Sequence, residues 1–78
     1  MTSQAIRTFM EMPPFRPVRL LTSSGESYLV PHPDFLIFSP TGRTCLVYAE
    51  DGESFATLDV LTITQVVPAK RAARREEL

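Results

Sequence analysis

The chain has 78 residues, 44% of them apolar, a formal net charge of −1, one cysteine and one histidine. That length makes one domain and excludes a large core, and the Cys and His counts exclude an internal disulfide or a structural zinc site built within one chain. The apolar share excludes wholesale disorder, and no uninterrupted apolar run approaches the roughly 20 residues that span a bilayer.

Arg7 and Glu11 interrupt the apolar part of the N-terminus, so it does not read as a secretory signal; a soluble, cytoplasmic protein without membrane association is expected. A core this small needs either very good packing or oligomerisation. Charge is unevenly spread. Residues 1–22 carry Arg7, Arg16 and Arg19 against Glu11, net +2. Residues 23–64 carry Arg43 against Glu26, Asp34, Glu50, Asp51, Glu53 and Asp59, net −5. Residues 65–78 carry Lys70, Arg71, Arg74 and Arg75 against Glu76 and Glu77, net +2. An acidic body does not grip a phosphate backbone by itself, but an acidic body with basic ends suits contacts between copies.

Ser3 to Glu11 predicts a short helix. Ser3 is placed to cap it, and Ile6, Phe9 and Met10 share a face at i, i+3 and i+4. Pro13 disfavours helical geometry at Met12 and ends it. So short a helix is unstable alone and is expected to lie as a lid on the sheet. Pro13-Pro14-Phe15-Arg16-Pro17 is a stiff connector, with Phe15 its anchor; exposed, it would be a proline-rich recognition ligand.

Val18–Thr22 and Ser27–Val30 predict a hairpin around Ser23-Ser24-Gly25-Glu26. Pro31-His32-Pro33 breaks the second strand, with Asp34 placed to cap a tight turn. Leu36–Ser39 and Arg43–Glu50 predict strands three and four across Ser39-Pro40-Thr41-Gly42-Arg43, where Pro sets φ and Gly allows a positive one. Asp51-Gly52 turns the chain again. Ser54–Val60 is the fifth strand. Leu61–Val67 continues it or, after a bend near Asp59, makes a sixth. Residues 1–68 are thus one domain, and 69–78 a basic tail, either a frayed helix or disordered.

Short strands with turns every eight to twelve residues predict a mainly β fold: a small five- to six-stranded antiparallel barrel of SH3-like or Sm-like kind behind an N-terminal α-helix. Alternation puts Leu36 and Phe38 on one face and Phe35 and Ile37 on the other, with Cys45 and Val47 opposing Leu46 and Tyr48. A barrel has one interior, so the second apolar face needs a cover, and a second protomer would supply it.

Little chemistry is written in the chain. His32 beside Asp34 has the makings of a general base, but no nucleophile accompanies it. Cys45 lies mid-strand among apolar neighbours, where a thiol is inert. Glu50, Asp51 and Glu53 surround Gly52 without the spacing of a calcium loop and read as a solvated hairpin tip. No enzyme, metal or cofactor is expected. Interaction residues are sought instead at Phe15, Arg16, His32, Asp34 and Arg43, and in the tail at Lys70, Arg71, Arg74 and Arg75.

Pro14-Phe15-Arg16-Pro17, Gly25, His32-Pro33-Asp34-Phe35 and Ser39-Pro40-Thr41-Gly42-Arg43 together resemble a widespread group of short bacterial proteins with a PFRPF, HPDF and SPTGR pattern. The resemblance implies a short N-terminal helix and no particular activity. Ser24-Gly25, Asp34-Phe35 and Ile63-Thr64-Gln65-Val66-Val67-Pro68 resemble, more weakly, the first hairpin, acidic-aromatic turn and closing strand of the Sm-like family. That resemblance implies a helix followed by a bent five-stranded barrel that assembles through its edge strands. The basic residue and histidine with which bacterial members contact RNA have no counterpart before Ile63. His32-Pro33-Asp34 matches the J-domain tripeptide, which that family holds between two long helices, whereas here it falls between strands. The expected function is a non-enzymatic module acting through protein contacts, self-association first and an unknown protein partner second. The alternative is an Sm-like binder of RNA or other nucleic acid using Arg16, Arg19, Arg43 and the tail.

Overall fold

The computed structural model describes residues 1–69. Its elements are α1 (Ser3–Glu11), β1 (Val18–Thr22), β2 (Ser27–Val30), a 3₁₀ turn (Pro33–Phe35), β3 (Leu36–Phe38), β4 (Thr44–Tyr48), β5 (Phe55–Asp59), a second 3₁₀ turn (Val60–Thr62) and β6 (Ile63–Pro68). The strands form two antiparallel three-stranded sheets, ordered β2-β1-β6 (sheet A) and β3-β4-β5 (sheet B). The mainly β, six-stranded reading holds. The closed barrel does not. Pro31 and Pro33 interrupt the chain between β2 and β3, and the turn after Asp59 interrupts it between β5 and β6, so no ladder joins the sheets.

Alternation along each strand sends one side chain in two to a shared core. Val18 and Leu20 on β1, Val30 on β2, Leu36 on β3, Cys45 and Val47 on β4, and Val60 and Ile63 at the second corner are buried there. Phe15 packs against this cluster, so the proline-rich connector is anchored rather than free.

Helix α1 closes one end of the core. Its N-cap is Thr2, not Ser3: the Thr2 hydroxyl accepts from the Ala5 amide at 3.2 Å. Met12 is extended, as a residue preceding proline should be. Ile6 and Met10 are buried, whereas Phe9, turned about 60° from Ile6 round the helix, stays 38% exposed. The helix bridges both sheets. The Met1 amine donates to Ile63 O at 2.9 Å on sheet A, and the Arg7 guanidinium lies 4.6 Å from the centroid of the Phe38 ring on sheet B. Ser3 abuts Gly42, where φ is +77° and a Cβ would sit 2.6 Å from Ser3 Oγ. Glycine is therefore required there for both backbone and space.

The two corners are capped. At the first, His32 Nδ1 accepts from the Asp34 amide at 3.2 Å, so the cap is His32 and not Asp34. At the second, Asp59 Oδ1 accepts from the Leu61 amide at 2.9 Å, and the Thr62 hydroxyl donates to Asp59 O at 2.7 Å. Ala69, assigned to the tail on sequence, is buried and donates to Pro17 O at 3.0 Å. The rest of the predicted tail, residues 70–78, lies outside the described residues.

Candidate functional site

A cleft of about 490 Å³ lies at the seam between the sheets. Arg19 of β1 with Ser27, Tyr28 and Leu29 of β2 form one wall. Val47 and Tyr48 of β4, Ala49, Glu50 and Ser54 of the β4–β5 turn, and Phe55 and Ala56 of β5 form the other. It exists because β2 and β4 converge at the Pro31–Phe35 corner but do not pair.

Its polar groups are already oriented. Arg19 Nη1 donates to Ser27 Oγ at 2.9 Å across the hairpin. The Tyr28 hydroxyl donates to Glu26 Oε1 at 2.7 Å, and this bond, with burial and the Glu26 charge, pushes the phenol above its usual range. On the opposite wall Tyr48 and Phe55 meet edge to face, with ring centroids 5.8 Å apart. Below them Asp51 organises the turn. Its Oδ1 accepts from the Glu53 and Ser54 amides at 2.8 and 2.9 Å, and its Oδ2 from Ser54 Oγ at 2.9 Å, which holds the carboxyl below the usual carboxylate range.

Of the residues named on sequence, Arg19 and Glu50 line this cleft, whereas Phe15, Arg16, His32, Asp34 and Arg43 do not. Arg16 is exposed beside a groove formed by Phe9, Met12, Pro14 and Pro17. Arg43 is exposed next to Met1 and Leu61, near the start of α1. His32 and Asp34 sit together on the first corner, with Phe35 packing edge-on to the His32 ring at 6.4 Å. Asp34 Oδ2 lies 3.7 Å from His32 Nδ1, but that nitrogen already accepts from the Asp34 amide at 3.2 Å, so we read it as an acceptor, not as half of an ion pair. A nitrogen engaged this way is a turn cap, not a base aimed at a substrate. Lys70, Arg71, Arg74 and Arg75 lie outside the described residues.

Cys45 is buried on the core face of β4, and burial pushes its thiol up to about 11, which leaves no thiolate for nucleophilic chemistry near neutrality. Among the described residues, no three His, Cys, Asp or Glu side chains converge as metal ligands, and no helix is long and apolar enough to cross a membrane.

Sequence reasoning missed Arg19, Tyr28, Tyr48 and Phe55 as a group. A signal was present: in each hairpin, aromatic residues stand within a few positions of an acidic turn, Tyr28 after Glu26, and Tyr48 and Phe55 around Glu50–Glu53. Only the packing of the sheets brings the two sets together. No family model, curated protein or solved structure matches the chain. The geometry alone therefore carries the functional argument.

Proposed function

We propose that this chain is a small non-enzymatic module that acts through protein contacts, first of all with copies of itself, in a soluble, cytoplasmic setting. The observation that carries this reading is the outer face of sheet B. Register places Ile37 beside Leu46 and Tyr48 beside Phe55 on the side away from the core. Ile37 is 48% and Phe55 60% exposed, and no described element packs over them as α1 does over the core end. The same sheet ends in two edge strands, β3 and β5, whose outer backbone groups lack a ladder partner among the described residues, the condition under which strands recruit strands. A second copy offers a matching face and edge, and two-fold pairing hides both at once. Kinship with Sm-like proteins, which assemble through edge strands, accords with this reading and is part of the proposal.

Arg16 and Arg43 stand on separate surfaces, and Arg19 in a third place, which favours protein contacts over a track for RNA. Size-exclusion chromatography with light scattering tests the reading. A dimer or larger species at micromolar concentration is expected, reverting to monomer in Ile37→Ser, Phe55→Ser. A strict monomer overturns it. A salt-dependent shift of labelled single-stranded RNA would favour the nucleic-acid alternative instead.

A further inference from the structure

Among the described residues four strands stand at a sheet edge, β2 and β6 in sheet A and β3 and β5 in sheet B. Three of the four are guarded. The alternation of antiparallel hydrogen bonds tells which backbone groups each edge presents. The Thr22 amide donates to Glu26 O and the Ala69 amide to Pro17 O, so β2 turns Ser27 and Leu29 outward and β6 turns Val66 and Pro68 outward. Pro68 has no amide to donate, and a register shift at Leu21–Thr22 interrupts the ladder beside β6; prolines and bulges keep edges from pairing. Ser27 and Leu29 lie inside the seam cleft, with the β4–β5 turn on its opposite wall. On sheet B the Ser39 amide donates to Thr44 O, so β3 turns Leu36 and Phe38 outward. There the Leu36 amide is already bonded to Pro33 O, and Arg7 of α1 lies over the Phe38 ring.

β5 has none of these guards. The Ala49 amide donates to Ser54 O and the Val60 amide to Arg43 O, so even residues of β5 bond to β4, and Phe55, Thr57 and Asp59 turn their backbone groups outward. The strand has no proline or glycine, and its register with β4 runs unbroken from Phe55 to Asp59. The same alternation restricts what this edge accepts. Two antiparallel copies of β5 exchange bonds only where odd residues face odd ones. Centred on Thr57, Phe55 meets the second copy's Asp59, Thr57 meets its own counterpart, and every outward residue is used. On the core side, half-buried Ala56 and Leu58 come opposite the second copy's Leu58 and Ala56, in the closer, non-hydrogen-bonded geometry. Slipped registers fail on charge or on length. Centring on Ala56 sets Asp59 against Glu53, like charges directly opposed. Centring on Leu58 runs Phe55 onto Leu61, inside the Val60–Thr62 turn.

We propose that self-association occurs through β5, paired antiparallel with β5 of a second copy about a two-fold axis at Thr57, so that sheet B of one copy continues into sheet B of the other. This rests on the self-association reading and adds to it the edge, the register and the stoichiometry. The contact is isologous, and it closes at two copies because pairing consumes the one unguarded edge of each. Phe55, 60% exposed in one copy, gains the second copy's Thr57 as a diagonal neighbour within reach of its ring.

Residue 57 provides the test, because this register sets it against itself. Thr57→Lys and Thr57→Glu, both at an exposed position, each put like charges across the axis and should raise the dimer dissociation constant about fivefold in a light-scattering dilution series. An equimolar mixture of the two variants should restore the wild-type value, because lysine then faces glutamate. In the wild-type protein, the Phe55, Thr57 and Asp59 amides should exchange more slowly as protein concentration rises. The Ala56 and Leu58 amides, already bonded to β4, should not respond. A wild-type dimer that both single variants leave intact, a mixture that regains nothing, or exchange along β5 that ignores concentration overturns the proposal and leaves self-association standing. A wild-type monomer at micromolar concentration overturns both.

Discussion

The chain passes between its two sheets twice, and the two crossings solve one problem with different chemistry. Pro33–Phe35 carries it from sheet A to sheet B, and Val60–Thr62 carries it back. Each is a single 3₁₀ turn held by the side chain of the residue before it. At the first, two prolines flank the cap and restrict the backbone in advance, and the cap is an imidazole nitrogen that accepts from the Asp34 amide. At the second, no proline helps. The turn relies on a carboxylate cap, a hydroxyl returning to the Asp59 carbonyl, and Val60 driven into the core. Preorganisation in the unfolded chain does at one corner what side-chain bonding and burial do at the other.

Substitutions at the two corners sharpen this contrast, and the largest effect belongs to burial. Val60→Ala leaves a cavity where Val60 is 2% exposed and should cost about 2 kcal/mol, whereas Leu61→Ala, at 66% exposure, should stay within about 0.5 kcal/mol. Urea unfolding of both variants checks the pair, and equal losses would erase the distinction between core anchor and surface residue. Next comes the carboxylate cap. Asp59→Ala should cost about 1 kcal/mol by the same measurement. His32→Ala should cost less, about 0.5 kcal/mol, because its bond is longer and its turn is already restrained by proline. A larger loss at His32 than at Asp59 would contradict the preorganisation argument.

The smallest effect is a pH response at a third turn that crosses nothing. The Asp51 carboxyl is held below its ordinary value by two amides and a hydroxyl, so its bonding is fully present above the unfolded carboxylate value and is lost as pH falls through the lower folded one. Amide exchange at Glu53 and Ser54 should therefore quicken on acidification below the ordinary carboxylate range, and Asp51→Asn should flatten that response.

Most of the skeleton was open to reading from residues alone. The helix over residues 3–11 matches its pattern, and β1 and β2 match theirs residue for residue, because period and turn chemistry are local properties. The strands of sheet B are each shorter than the apolar runs that announced them, since pairing stops where a neighbour ends: β3 stops at Phe38, and β4 stops at Tyr48. The caps were assigned one or two positions away, to Ser3 and Asp34 in place of Thr2 and His32. Several polar side chains at a turn can reach an amide, and only the backbone trajectory picks one. The site was hardly legible. Its walls come from β1 and β2 on one side and β4 and β5 on the other, and no spacing rule links Arg19 to Phe55.

Two-sided apolar strands, an acidic middle between basic ends, and proline or glycine at most reversals are properties of the sequence, and from them follow the element order and the β class. Whether six strands close into one wall or stand as two sheets is a matter of non-local pairing. It depends on whether β2 and β4 can come into register after the chain turns at His32–Phe35. They do not pair, and the opening left beside them is a feature that only the tertiary structure decided.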